Sequence, residues 1–332
     1  MTAACMAAAL WGGQAPAQTK TGTTILQFVA IEPSARLAAM GNAGVAIHDD
    51  IQSIYYNPGA LGWMSEGAAQ FTHGLWFADI QYDYAAVALP LGNLGNASLA
   101  VTTLNSGEMD VRTVERPLGT GERFSVRDVA INLGYGRQIT DRFAAGMQVN
   151  WANETIWNSS VNLFTGSLGT IYRLADNGLT LGASLLNIGT RAAFDGRDLA
   201  IQFDQDPDRN GDNSTLPATQ FTDEFPVPLT FRVGLAYPHR VSAQSRLLMT
   251  ADALHPSDNT ESLNLGWEWT WREAFAVRGG YQNLFQRDSD FGLTTGVGIR
   301  GALGGRHFHV DYGWAYHAFL QDVHRFTFAL SL

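Results

Sequence analysis

Three groups of residues have types and spacings that could do chemistry. In DQDPDRNGDN, Asp206, Asp208, Asn210 and Asp212 alternate around Gly211, and oxygen ligands at alternate positions about a turn-forming glycine suit Ca²⁺. A complete twelve-residue loop would end on a bidentate Glu, but Pro217 stands there. The segment therefore reads either as a weak Ca²⁺ site or as a solvated acidic turn. In RHFHVDYGWAYH, His307, His309 and Asp311 share one face of an extended chain. They could hold a metal, serve as a general base or form a hydrated polar row. The third group is a scatter of ionisable residues inside otherwise alternating apolar stretches: Arg232, Asp252, Glu268, Arg278, Arg300 and, again, Asp311. The remaining histidines show no metal spacing and no G-x-S-x-G elbow occurs. The expectation is a protein that is not an enzyme and needs no cofactor beyond that Ca²⁺.

The elements that position these residues are strands. SLNLGWEWTW sets Leu263, Leu265, Trp267, Trp269 and Trp271 against Asn264, Gly266, Glu268 and Thr270, and PLTFRVGLAY, RFAAGMQVNW and VHRFTFALSL alternate in the same way. Fourteen such stretches are read, starting near Ala68, Ile80, Asn96, Phe124, Arg142, Val161, Leu179, Pro228, Ala243, Glu261, Ala274, Gly292, Arg306 and Val323. Short turns follow the even strands, and mostly longer connections follow the odd ones, among them 104–123, 153–160 and 187–227.

A soluble sandwich also alternates, burying its apolar face between two sheets. The strands here run to about ten residues with aromatics near their ends, as an outer-membrane barrel requires. Ionisable residues deep in the strands would be costly in a dry core, whereas a wet lumen accepts them. The even strand number puts both ends of the barrel on one side of the membrane. Charged residues make up only 16% of the chain and aromatics 11%, yet mean hydropathy is −0.07. No run of about 18 apolar residues offers a spanning helix. The net charge of −10 excludes a nucleic-acid binder. The fold expected is all-β: a transmembrane antiparallel barrel of about fourteen strands over residues 68–332, in a Gram-negative outer membrane.

Ahead of it, residues 1–17 read as a secretory signal ending at Ala15-Pro16-Ala17 or as a disordered start. Residues 18–67 read as a helical plug. Ser34 can cap a helix over 35–40 and Asp49 or Asp50 one over 51–56, stopped at Asn57-Pro58-Gly59. Both are too short to stand alone, so they must pack against the barrel.

The segment ARLAAMGNAGVAIHDDIQSIYYNPGALG resembles the N-terminal signature of the PorV/PorQ family and, more distantly, of FadL-type long-chain fatty-acid transporters. The matching residues are Ala35, Arg36, Met40, Gly41, Ala43, Asp50, Asn57, Pro58 and Leu61, with Gly59-Ala60 standing where Ala-Gly is usual. Residues 119–151 resemble a strand-turn-strand unit of the same family. The resemblance implies a fourteen-stranded FadL-like barrel with an N-terminal hatch. For the PorV/PorQ branch it implies an escort or binding role in type IX-like secretion, with a translocon or secreted cargo as partner at the long loop 187–227. For the FadL branch it implies passive uptake of hydrophobic molecules through a gated lumen.

Overall fold

The computed structural model describes residues 20–48, 50–204, 208, 216–287 and 289–332. Fourteen antiparallel strands form the barrel: β1 (Ala68–Leu75), β2 (Gln81–Pro90), β3 (Asn96–Asn105), β4 (Val126–Thr140), β5 (Phe143–Ile156), β6 (Ser159–Arg173), β7 (Thr180–Gly189), β8 (Thr230–Ser242), β9 (Ser245–Pro256), β10 (Ser262–Trp271), β11 (Phe275–Leu284), β12 (Phe291–Leu303), β13 (Arg306–His317) and β14 (Val323–Ser331). Each strand pairs with the next, and β1 pairs with β14 from Ala68↔Ser331 to Leu75↔His324. Closure satisfies the edge groups that lipid cannot.

Period-two alternation sorts the side chains. Phe71, Leu99, Leu133, Val149, Phe164, Val297 and Phe328 point outward and stay exposed. Such a belt of large apolar side chains is stable only against hydrocarbon. The molecule is thus an outer-membrane-type barrel. Tyr312, Trp314 and Tyr316 lie toward the end of β13 at the rim of long loops, and Trp271 toward the opposite rim, as interfacial girdles require.

The even strands end in tight turns on the periplasmic side. The odd strands lead to the extracellular loops. The largest of these folds back through Asp195–Gly196, which pairs with Ser159 and Ser160 at the top of β6, and through a short ladder between Ala200–Gln202 and Pro217–Thr219. One expected loop is absent: 153–160 is no long connection, because β5 and β6 run on to a turn at Trp157 and Asn158. The extension rises above the lipid, where polar residues such as Asn153, Glu154 and Thr155 break the apolar alternation that marks a strand in sequence.

Residues 24–64 lie inside the ring. Helix α1 (Ala35–Ala38) begins at Ser34, whose Oγ accepts from Leu37 N–H at 2.9 Å. A 3-10 turn over Ile51–Ser53 begins at Asp50, whose carboxylate accepts from Gln52 N–H at 3.0 Å. Asn57 does not stop this turn as expected. It opens a further one, Pro58–Trp63, by accepting from Gly59 N–H at 2.9 Å. Asn before Pro is a good start because the Pro supplies a fixed φ and lacks the N–H that the first helical turn leaves unpaired.

Candidate functional site

Two parts of the N-terminal segment fill the lumen. The hatch, residues 34–63, occupies the periplasmic half and rests on glycine. A Cβ at Gly146 or Gly169 would overlap Pro58, and one at Gly266 or Gly280 would overlap the backbone at Met40. Small residues at these wall positions let hatch backbone lie directly on strand backbone. Hydrogen bonds seal the contact: Ala35 N–H to Thr327 Oγ1 at 3.0 Å, Gly41 N–H to Thr294 Oγ1 at 2.9 Å, and Asn57 Nδ2 to Thr170 O at 2.9 Å, while the same Nδ2 ties the hatch to itself at Val45 O, 2.7 Å away.

At the centre of the hatch is an ion network. Arg36 donates through Nε and Nη2 to the two oxygens of Glu268, both at 2.9 Å, and through Nη1 to Asp50 at 2.9 Å. Arg278 joins Glu268 at 2.6 Å and Asp311 at 2.8 Å, and Arg300 reaches Glu268 at 3.2 Å. Gln52 Nε2 completes Asp311 at 2.8 Å. Three guanidiniums face three carboxylates. Such a balanced, bidentate set is the arrangement that makes buried charge tolerable.

The second part is a strap, residues 24–32, that occupies the extracellular half. Ile25, Leu26 and Phe28 pack with Ala130, Ala152, Val161 and Val227, flanked by Phe194 of the long loop. Thr24 donates to Asp258, Ile25 N–H to Pro226 O at 3.0 Å and Leu26 N–H to Glu154 at 2.8 Å, all near the extracellular rim. Below Phe28 a cavity of about 40 Å³ remains between Tyr82, Tyr84 and the polar row Asn132, Gln148, Asn150 and Ser167. That leaves room for water but not for an organic solute.

Outside the strap, Val111, Phe124, Ile156, Trp157 and Phe194 line an extracellular pocket of about 420 Å³. Phe194 belongs both to this pocket and to the cluster that holds the strap. The periplasmic mouth below the hatch is a wider bowl of about 760 Å³ lined by Arg240, Arg246, Arg272, Arg300, His307 and His309.

The lumen residues singled out in sequence thus fall into two sets. Glu268, Arg278, Arg300 and Asp311 join Arg36 and Asp50, with His309 Nδ1 3.9 Å from Asp50. Arg232 and Asp252 lie apart from them. None of Glu268, Arg278, Asp252 or Asp311 stands in a wet lumen, as their type suggested; all are buried and engaged with the hatch or one another. Asp311 is committed to Arg278 and Gln52, so it does not serve His307 and His309 as the base or metal partner that their shared face suggested. Among the described residues no group of His, Cys, Asp or Glu is disposed to hold a metal. Asp206, Asn210 and Asp212 of the Ca²⁺ candidate, and the signal-like residues 1–17, lie outside the described residues, while Asp208 is exposed. Sequence reading passed over Glu32, which carries no pattern, and left Arg325 among the polar positions of the last strand.

No protein-family model matches the chain. No curated protein matches it in sequence. Solved structures do match. A FadL homologue of Pseudomonas aeruginosa aligns with TM-score 0.54 at 10% identity, covering 90% of this chain and 98% of that one. The Pseudomonas putida toluene transporter TodX aligns with TM-score 0.55 at 12% identity over 91% and 98%. The CymD monoaromatic hydrocarbon channel aligns with TM-score 0.53 at 11% identity over 93% and 97%. At these identities the likeness establishes a FadL-like barrel fold.

Proposed function

We propose that the protein is a passive conduit for hydrophobic small molecules across the outer membrane, seen here closed by the hatch and the strap. The observation that carries this reading is the continuity of apolar surface through Phe194: the extracellular pocket of about 420 Å³ abuts the strap cluster there, and Phe28 of that cluster lines the lumen cavity beneath. A pocket of this size, mostly apolar and opening on water, has the character of a small-molecule site. The transport named for TodX and CymD supports the same reading. The escort role in secretion, with its translocon or cargo partner, rests on the sequence resemblance alone and draws no support from these structures.

The test is uptake of radiolabelled toluene by intact Gram-negative cells, whose outer leaflet resists hydrophobic solutes. Producing the protein should raise uptake several-fold, and Phe194→Glu, which places a charge in the path, should abolish the gain. Equal uptake with and without the protein would overturn the proposal.

A further inference from the structure

The periplasmic bowl beneath the hatch carries a charge pattern that a hydrophobic conduit does not require. Arg240 of β8 and Arg246 of β9 stand directly opposite each other in the ladder, and like charges so placed repel. Neither forms an ion pair among the described residues. Arg272, which lies over the Trp271 ring at the next turn, continues the lining, followed by Arg300 of β12 and by His307 and His309 of β13. Against them the described lining sets one carboxylate, Glu273. A chain of net charge −10 thus gathers four arginines around one opening, and a cleft lined by one sign of charge concentrates the field on whatever enters it.

Polar atoms also remain open on the hatch side of the bowl. Arg300 and His309 are directly opposed in the ladder. Arg300 gives Nη2 to Glu268 at 3.2 Å, but its Nε has no hydrogen-bond partner among the described residues, and neither has His309 Nδ1. Such atoms are costly to leave unpaired. The spacing of the whole set selects a chain over a single ion. From Arg240 to His307 the lining crosses six neighbouring strands, β8 to β13, an arc of about 24 Å at about 4.8 Å per strand. An extended peptide sets alternate side chains about 7 Å apart on one face, so about three or four carboxylates cover the arc. Between the arginines the wall is Ser242, Ser245, Thr270 and small residues, with no large apolar side chain. An apolar solute finds no anchor there.

We propose that the bowl is a docking seat for an extended acidic segment of a periplasmic protein, whose carboxylates bridge Arg240, Arg246, Arg272 and Arg300. In the free barrel Arg240 and Arg246 repel each other, and a seated carboxylate compensates both. The contact is electrostatic, so it forms quickly and yields to salt. It does not depend on what passes through the lumen, and it stands or falls apart from the conduit reading.

The probe is fluorescein-labelled hexaglutamate, whose anisotropy is followed as the full chain is added in phosphatidylcholine nanodiscs, which bring no anionic lipid. Wild type should bind it, and a rise in NaCl from about 50 to about 500 mM should weaken binding about tenfold or more. Arg240→Gln with Arg246→Gln should weaken it by about tenfold or more at low salt. Arg116→Gln with Arg123→Gln removes the same charge from the extracellular connection 104–123 and should change binding by less than about twofold. Without peptide the bowl variant should melt no lower than wild type, because it relieves a like-charge pair. Absence of wild-type binding, equal weakening in the two double variants, or a lower Tm of the free bowl variant would each overturn the proposal. So would inorganic phosphate, at matched ionic strength, displacing the probe as well as unlabelled hexaglutamate does, since the seat would then be one for a small oxyanion. Should the bowl variant fail to form a heat-modifiable barrel on gels, Arg272→Gln at the exposed turn decides in its place: about threefold weakening supports the seat and unchanged binding sinks it.

Discussion

Arg36 and Glu268 meet as two parallel forks, Nε to Oε2 and Nη2 to Oε1, both at 2.9 Å, although 232 residues separate them in the chain. One belongs to the hatch and the other to the wall, and both side chains are buried. Around this pair the remaining arginines and carboxylates are arranged so that removing any one leaves an uncompensated charge.

Glu268→Gln should therefore loosen the hatch. The loss of one partner from a buried pair costs about 3–5 kcal/mol, and here three arginines would face two carboxylates. Proteolysis of detergent-solubilised protein should cut within residues 34–63 in the variant and spare them in the wild type. The barrel itself, read by its heat-modifiable gel mobility, should persist.

Asn57 does two separable jobs. Its Oδ1 opens the 3-10 turn at Gly59, and its Nδ2 bridges Val45 O and Thr170 O. Asn57→Asp keeps the acceptor but sets a buried carboxylate oxygen against Val45 O and Thr170 O, so it should fall below Asn57→Ala, which loses the same bonds without adding a charge. The cap contributes about 1 kcal/mol and each donated bond about 1 kcal/mol. Thermal unfolding of the three proteins gives the order, and an Asp variant that unfolds above the Ala variant would show that the retained cap outweighs the misplaced charge.

Gly169 bears directly on Asn57 and Pro58. Gly169→Val should wedge the hatch from the wall, at the roughly 1–3 kcal/mol typical of overpacking. In planar bilayers the variant should show ion leakage that wild type lacks. A silent Gly169→Val would mean that the hatch can shift without opening a path.

The outward face is testable at Val149, which is half exposed at 52%. Val149→Arg should cost about 2–4 kcal/mol near the bilayer midplane, measured by denaturant titration of folding into lipid vesicles. Val149→Ala should cost far less. A small penalty for Arg would place Val149 away from hydrocarbon.

The barrel was legible because its cause is local. Alternation along each strand is a property of ten consecutive residues, so all fourteen strands were found, with starts displaced by no more than two residues. Where the wall leaves the lipid the signal fails, as at Glu154 and Thr155, which are strand by pairing and polar by solvent. The helix start at Ser34 was readable for the same local reason, and the second was narrowed to Asp49 or Asp50, of which Asp50 is the cap. The pairing of the lumen charges was not readable, because partners such as Arg36 and Glu268 are brought together only by closure of the ring. Glu32 lacked even a pattern: it belongs to a strap with no periodicity, and its partner, Arg232 of the barrel wall 200 residues away, is brought to it only by the fold.

Strap and hatch together run the length of the barrel interior, from Thr24 beside Asp258 at one rim to residues 58–63 against β4, β5 and β6 at the other. A chain so placed fills the cylinder from rim to rim with its own side chains. The assembly that this placement favours lays the N-terminal segment against the curling sheet first and zips the β1–β14 seam, from Ala68↔Ser331 to Leu75↔His324, around it last. The two ends of the strand sequence are then the latch of a vessel that is packed before it is shut.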